Sequence, residues 1–274
     1  MGNFVDRIPR LAINIFAGIW IAGFFVAAVQ QQGDKYLAPL GGVFDFSGGF
    51  WAWLARVMLL IPALSLFLLL VAFSFMTTEG ANSWKDRVGA TLLMILAHLA
   101  LSGMVTGRYI ALLPDWAVNF FGPLLGVGIA FLLYLSSQGL LSLSPNALNI
   151  FGGAWEAGFV VLALKAHGAG YFQPLSSLTD GGSILARITL AAAGMGTFIM
   201  FIIFSMRSVE SSGTRMDKVK GTLGMMGMHL MFSTVPAFLM TKLTDWLPGG
   251  IGDFINASLA FALFVWAEVK RRNG

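Results

Sequence analysis

The chain has no cysteine in its 274 residues, which excludes disulfides, iron–sulfur clusters and thiolate metal sites. It is also short of charge. Only 11% of its residues are Asp, Glu, Lys or Arg, against roughly 25% in a soluble globular domain. Although the net charge is +4, no basic run has the density of a nucleic-acid groove binder. Also missing are a nucleotide-binding loop, a Ser–His–Asp constellation, a zinc motif and a pair of neighbouring carboxylates. With those goes any catalytic chemistry readable from the sequence, and the expectation is a non-enzymatic protein without a cofactor.

What the chain has in abundance is apolar surface: 57% of its residues are hydrophobic and the mean hydropathy is +0.79. Crossing the hydrocarbon core of a bilayer takes a helix of about 20 apolar residues. Runs of that kind occupy roughly 11–29, 52–76, 88–112, 117–141, 147–166, 184–206, 219–241 and 249–268. The expected fold is therefore an all-α polytopic membrane protein with eight transmembrane helices. Segments 30–50 and 167–183 read as loops. With an even number of spans both termini share a side, and that side carries eleven of the seventeen Lys and Arg. The positive-inside bias puts both termini in the cytoplasm.

The chain also repeats itself. "NIFAGIWIAGF" from Asn14 matches "NIFGGAWEAGF" from Asn149, 135 residues on, and Tyr36 and Pro39 match Tyr171 and Pro174 at the same offset. At an offset of 131, "LAR" at 54–56 matches 185–187, Phe73-Ser74 matches Phe204-Ser205, Glu79 matches Glu210, and "DRVGATLLMILAHLALS" from Asp86 matches "DKVKGTLGMMGMHLMFS" from Asp217. "LPDW" ending at Trp116 matches "LTDW" ending at Trp246, at 130. The reading is a tandem duplication, 1–143 and 144–274, each copy a four-helix unit. Four is even, so both copies insert the same way up, as parallel repeats about an axis along the membrane normal. The basic N-terminus and first apolar stretch have the outline of a cleaved leader. Because that stretch recurs internally, a retained helix is expected instead.

Few residues inside these runs carry chemistry. His98 and His229 are repeat mates in mid-helix, where an ionisable side chain needs a partner. A neutral ring bonded to a neighbouring helix, or to Ser102 and Ser233 one turn on, would satisfy them. A haem ligated by one histidine from each copy is the alternative. Around His229, Met225, Met226, Met228 and Met231 are soft ligands suited to Cu(I), or packing filler. Glu156 is the one carboxylate well inside a span, and its repeat mate is Ile21. It would either pair with Arg56 or Arg187 or line a polar cavity as a proton or cation site. Arg56 and Arg187, at the outer starts of the second and sixth helices, either snorkel to head groups or line a polar vestibule. Asp86 and Asp217 are placed to cap their helices.

The unit also resembles a known family. An "N…G…AGF" helix, a loop ending in "PL", a "GG…LAR" start and a "G(T)L…H" helix are similar to the small polytopic inner-membrane subunits of type IVB (Dot/Icm-like) secretion systems and IncI-type conjugation systems. The matching residues are Asn14, Gly18, Gly23, Pro39, Gly49 and His98, then Asn149, Gly153, Gly158, Pro174, Gly182 and His229. The resemblance implies a non-enzymatic part of an envelope translocation machine, embedded in lipid, oligomeric or bound to other membrane subunits, with no nucleic-acid site of its own. Without the resemblance, a small-solute carrier or channel with a polar site between the repeats, or a bis-histidine haem electron carrier, also fits the residues.

Overall fold

The computed structural model describes residues 9–81, 83–105, 122, 124–140, 144–176, 178, 184, 187–188, 191, 194–209, 213–244 and 251–273. Arg7, Arg108, Gly182, Glu210, Trp116 and Trp246, which belong to the repeat and charge patterns, lie outside them. So do parts of the third, fourth, sixth and eighth expected spans.

Among the described residues the chain is helical, with no strand. The long elements are α1 (Arg10–Gln32), α2 (Gly49–Ala63), α3 (Ser65–Thr77), α4 (Trp84–Leu101), α5 (Ile129–Ser137), α6 (Pro145–His167), α7 (Gly196–Ser208), α8 (Arg215–Phe232), α9 (Thr234–Thr244) and α10 (Ile251–Asn273). Among the described residues, two helices are long and apolar enough to cross a membrane, those beginning at Arg10 and Pro145. Up to four spans result if the bent pairs α2–α3 and α8–α9 each count as one. The rest fall short for local reasons. Three charges, Lys85, Asp86 and Arg87, sit in the first turn of α4. At 13 residues, α7 rises only about 20 Å.

Local sequence sets the same helix ends in both copies. α1 and α6 are each 23 residues long and stop at a glycine in the left-handed region, Gly33 (φ 57°) and Gly168 (φ 56°), whose N–H returns to Val29 and Leu164. α4 and α8 are each 18 residues long and open on a hydroxyl cap. Asp86 N–H donates to Ser83 Oγ, and Asp217 N–H to Thr214 Oγ1. In the second case the Asp217 carboxylate accepts from the Thr214 N–H in turn, completing a capping box. The second expected helix of each copy is broken, at Leu64 (φ −103°, ψ 18°) and at Met195 (φ −108°, ψ 16°). The third is broken at Ser102 and at Ser233, and α8 and α9 meet there at 42°.

Two compact units emerge. The first is 1–39 with 64–142, where α1 packs against α3, α4 and α5. In the second, 40–63 with 143–274, α6 is enclosed by α7, α8, α9, α10 and α2. Helix α2 thus belongs to the first copy by sequence but to the second unit by packing. Its Ala55 and Met58 enter a core with Ala157, Val160, Val161, Leu164, Phe172, Phe201 and Leu230, and Trp51 stacks on Phe172 with ring centroids 5.3 Å apart.

Candidate functional site

The same three-residue knot forms once in each unit. In the first, the His98 ring of α4 lies directly on Gly18 of α1, and its Nδ1 is 2.9 Å from Ser74 Oγ of α3. In the second, the His229 ring of α8 lies on Gly153 of α6, and its Nδ1 is 2.9 Å from Ser205 Oγ of α7. Both histidines are buried, at 1% and 0% exposure. The glycines are there for the rings: a Cβ on Gly18 would fall 2.1 Å from His98 Cε1, and one on Gly153 would fall 2.1 Å from His229 Cε1. No contact that short between carbon atoms survives. Three helices are therefore fastened together at one point, and any side chain on the central one would push the fastening open.

Hydrogen-bond accounting assigns the tautomer in the second knot. Ser205 Oγ donates its one hydrogen to the Phe201 carbonyl, at 2.8 Å. It must therefore accept from His229, so Nδ1 carries the proton and Nε2 is a bare acceptor. Nε2 of both histidines is buried without a partner among the described residues, and so is Oδ1 of Asn14 and of Asn149, one turn before the two glycines. Nε2 is the atom a haem iron would take, and each ring is held entirely within its own unit. The Ser102 and Ser233 hydroxyls, the expected local partners, instead donate to the carbonyls of Leu99 and Leu230 on their own helices, at 2.6 and 2.7 Å. Of the methionines near His229, Met226 packs against the unit's apolar core, while Met225, Met228 and Met231 are half-buried. No group of three or more His, Cys, Asp or Glu that could hold a metal occurs among the described residues.

Glu156 breaks the symmetry. It lies one turn beyond Gly153 on α6, at 1% exposure, in the place that Ile21 (0%) fills in the first unit. It forms an ion pair with neither arginine and makes no hydrogen bond among the described residues. Arg56 is committed elsewhere, to the Asp45 carboxylate and the carbonyls of Ser47 and Ala52. The Ser47 hydroxyl and N–H, and then Arg56, hold the Asp45 carboxyl below the usual carboxylate range. Arg187 donates to the Leu178 carbonyl, at 3.2 Å. Tyr171 is within electrostatic reach of Glu156. Its hydroxyl is buried at the Phe198 backbone without a hydrogen bond of ordinary geometry.

The tryptophan preceding this position recurs with its role. Trp20 Nε1 donates to the Leu125 carbonyl and Trp155 Nε1 to Asn256 Oδ1, both at 2.9 Å. Neither family models, curated proteins nor solved structures give a match to the chain.

The serine and glycine of each knot escaped the sequence reading as partners of the histidine. The signal was present, since Gly18, Ser74 and His98 all recur, as Gly153, Ser205 and His229.

Proposed function

We propose that the chain is a non-enzymatic integral membrane subunit of a multi-protein envelope complex, of the type IVB secretion or conjugation kind its motifs resemble. Eight helices, as two parallel repeats of four, hold it in the bacterial inner membrane with both termini in the cytoplasm. The observation that carries this reading is the outward face of α4. Leu92, Leu93, Leu96 and Leu101 are all exposed on it. Gly89 on the same helix and Gly103 just beyond its end are open as well, since a Cβ at either would meet nothing within 4 Å. A helix whose buried side is fixed by a knot and whose other side is apolar and smooth suits lipid and close contact with another membrane helix. Both knots are structural fastenings, which fits a scaffold.

A second reading, a small-solute carrier or channel, has one observation in its favour: the buried and unpaired Glu156, present in one copy alone. The two separate on extraction of the native complex in mild detergent. A subunit copurifies with other membrane proteins at a native mass well above one chain. A monomer that catalyses flux of a solute after reconstitution alone would replace the first reading with the second.

A further inference from the structure

We propose that Glu156 is a proton-binding site: a membrane-embedded carboxyl that takes up and releases a proton within the second unit. This goes beyond the role of a complex subunit and stands whether or not that role is right.

The fold does not need a carboxyl here. The first unit builds the same helix on the same kind of glycine–histidine contact with Ile21, wholly buried. An isoleucine at this point satisfies packing, so the glutamate replaces an adequate apolar solution with a group that is costly to bury. A carboxylate removed from water needs a counter-charge or a full set of donors, and Glu156 has neither among the described residues. The neutral acid is the form that such a site accommodates. Tyr171 is the neighbour that feels the Glu156 charge. Its hydroxyl is also buried and without a normal hydrogen bond. The hydroxyl of its own repeat mate, Tyr36, is likewise buried without a normal hydrogen bond, but belongs to the unit that holds Ile21. The tyrosine is inherited in both copies, whereas the acid is present in one.

Among the described residues, no charged group on the elements around α6 forms an ion pair with Glu156. On α2, Arg56 is tied to Asp45. Arg207 of α7 and Arg271 of α10 share Glu268. On α8, His229 is bonded to Ser205. Lys242 on α9, Lys270 on α10, and Lys165 and His167 at the far end of α6 itself form no ion pair with Glu156.

A hydrophobic carbodiimide tests this directly, on the full chain in native membranes or lipid nanodiscs. The reagent takes the proton of a neutral carboxyl onto its nitrogen while the carboxylate oxygen adds to its central carbon. The adduct rearranges to a stable N-acylurea where no nucleophile is near. The expected result is one added carbodiimide, mapped by mass spectrometry to the peptide with Glu156, with labelling that declines as pH rises. Glu156→Gln should abolish it, and so should Glu156→Ile, which copies the first unit's own residue at this position. Tyr171→Phe should move the pH midpoint of labelling without removing it.

Infrared spectroscopy guards against a reagent that fails to reach the site: a protonated-carboxyl carbonyl band should be present at neutral pH and absent from Glu156→Gln. Absence of that band together with no labelling at any pH would overturn the proposal. Protection by sodium at fixed pH would overturn the proton as the ligand, replacing it with a metal cation.

Discussion

Replacing Gly153 with alanine should unfasten the second unit, and the size of the effect follows from the geometry. The new Cβ would stand 2.1 Å from His229 Cε1, 2.3 Å from Nδ1 and 2.6 Å from Nε2. Carbon atoms in contact settle at about 3.5–4.0 Å, so the ring must retreat by roughly 1.5 Å. The Nδ1–Oγ separation of 2.9 Å cannot absorb that retreat, because hydrogen bonds fail well before such a stretch. Losing a buried hydrogen bond costs about 1–3 kcal/mol, and overpacking adds about 1–3 kcal/mol. The sum, about 2–6 kcal/mol, is a large fraction of the stability of a domain. Gly18→Ala meets the His98 ring at the same distance, 2.1 Å, and should behave alike. Gly89→Ala and Gly224→Ala supply the controls, since a Cβ at either meets nothing within 4 Å. In an open helical position alanine is favoured over glycine by up to about 1 kcal/mol, so these should melt at or slightly above the parent. Thermal unfolding in detergent, followed by tryptophan fluorescence and size exclusion, reads the difference. Equal melting of Gly153→Ala and Gly224→Ala would refute the reasoning.

The serines should rank by where their hydroxyls go. Ser205→Ala strands a buried imidazole and should cost about 1–3 kcal/mol. Ser233→Ala gives up one bond within its own helix and should cost less than about 1 kcal/mol in the same melting assay. Asp217 predicts an acid dependence. The Thr214 side chain and backbone hold its carboxyl below the usual carboxylate range. A lowered folded-state pKa gives stability that is present above the ordinary carboxylate value and lost as pH falls through the lowered one. The melting temperatures of the parent and Asp217→Ala should therefore converge in acid, and a gap that persists there would contradict the capping box. For the histidines, each bound to a serine, the purified protein should show no Soret band. A band that vanishes in His98→Ala would replace the knot with a haem site.

Much of the second unit's anatomy was legible because the duplication supplies an internal comparison. Asp86 and Asp217 read as helix starts and lie in the first turns of α4 and α8, but the caps are the Ser83 and Thr214 hydroxyls, and Asp217 alone returns its carboxylate to the cap's N–H. The histidines read as buried and bonded, and they are. Of the two partners open to them, a neighbouring helix or Ser102 and Ser233, the neighbouring helix supplies the bond, through Ser74 and Ser205, which helical spacing, seeing only one helix, could not name. The breaks at Leu64 and Met195 were invisible for a different reason. Pro62 precedes the first and Gly194 and Gly196 flank the second, but hydropathy alone continues through both. Repetition also says nothing about which copy an element packs on, so α2 could not be assigned to the second unit. The expected Glu156–Arg56 pair fails for a local reason. Arg56 meets Asp45, eleven residues before it in the sequence and in the loop beside it, without leaving the surface.

The central claim is that both units are closed by equivalent serine–histidine contacts, and the absence of native cysteine makes it directly measurable. Paired cysteines at Ser74 with His98, and at Ser205 with His229, should each be bridged in native membranes by a short bifunctional methanethiosulfonate, to similar extents. Cysteine pairs at Ser102 with His98, and at Ser233 with His229, set the level expected of neighbours on one helix. Bridging of both interhelical pairs is the predicted result. Bridging of only one, or of neither while the same-helix pairs react, would contradict it.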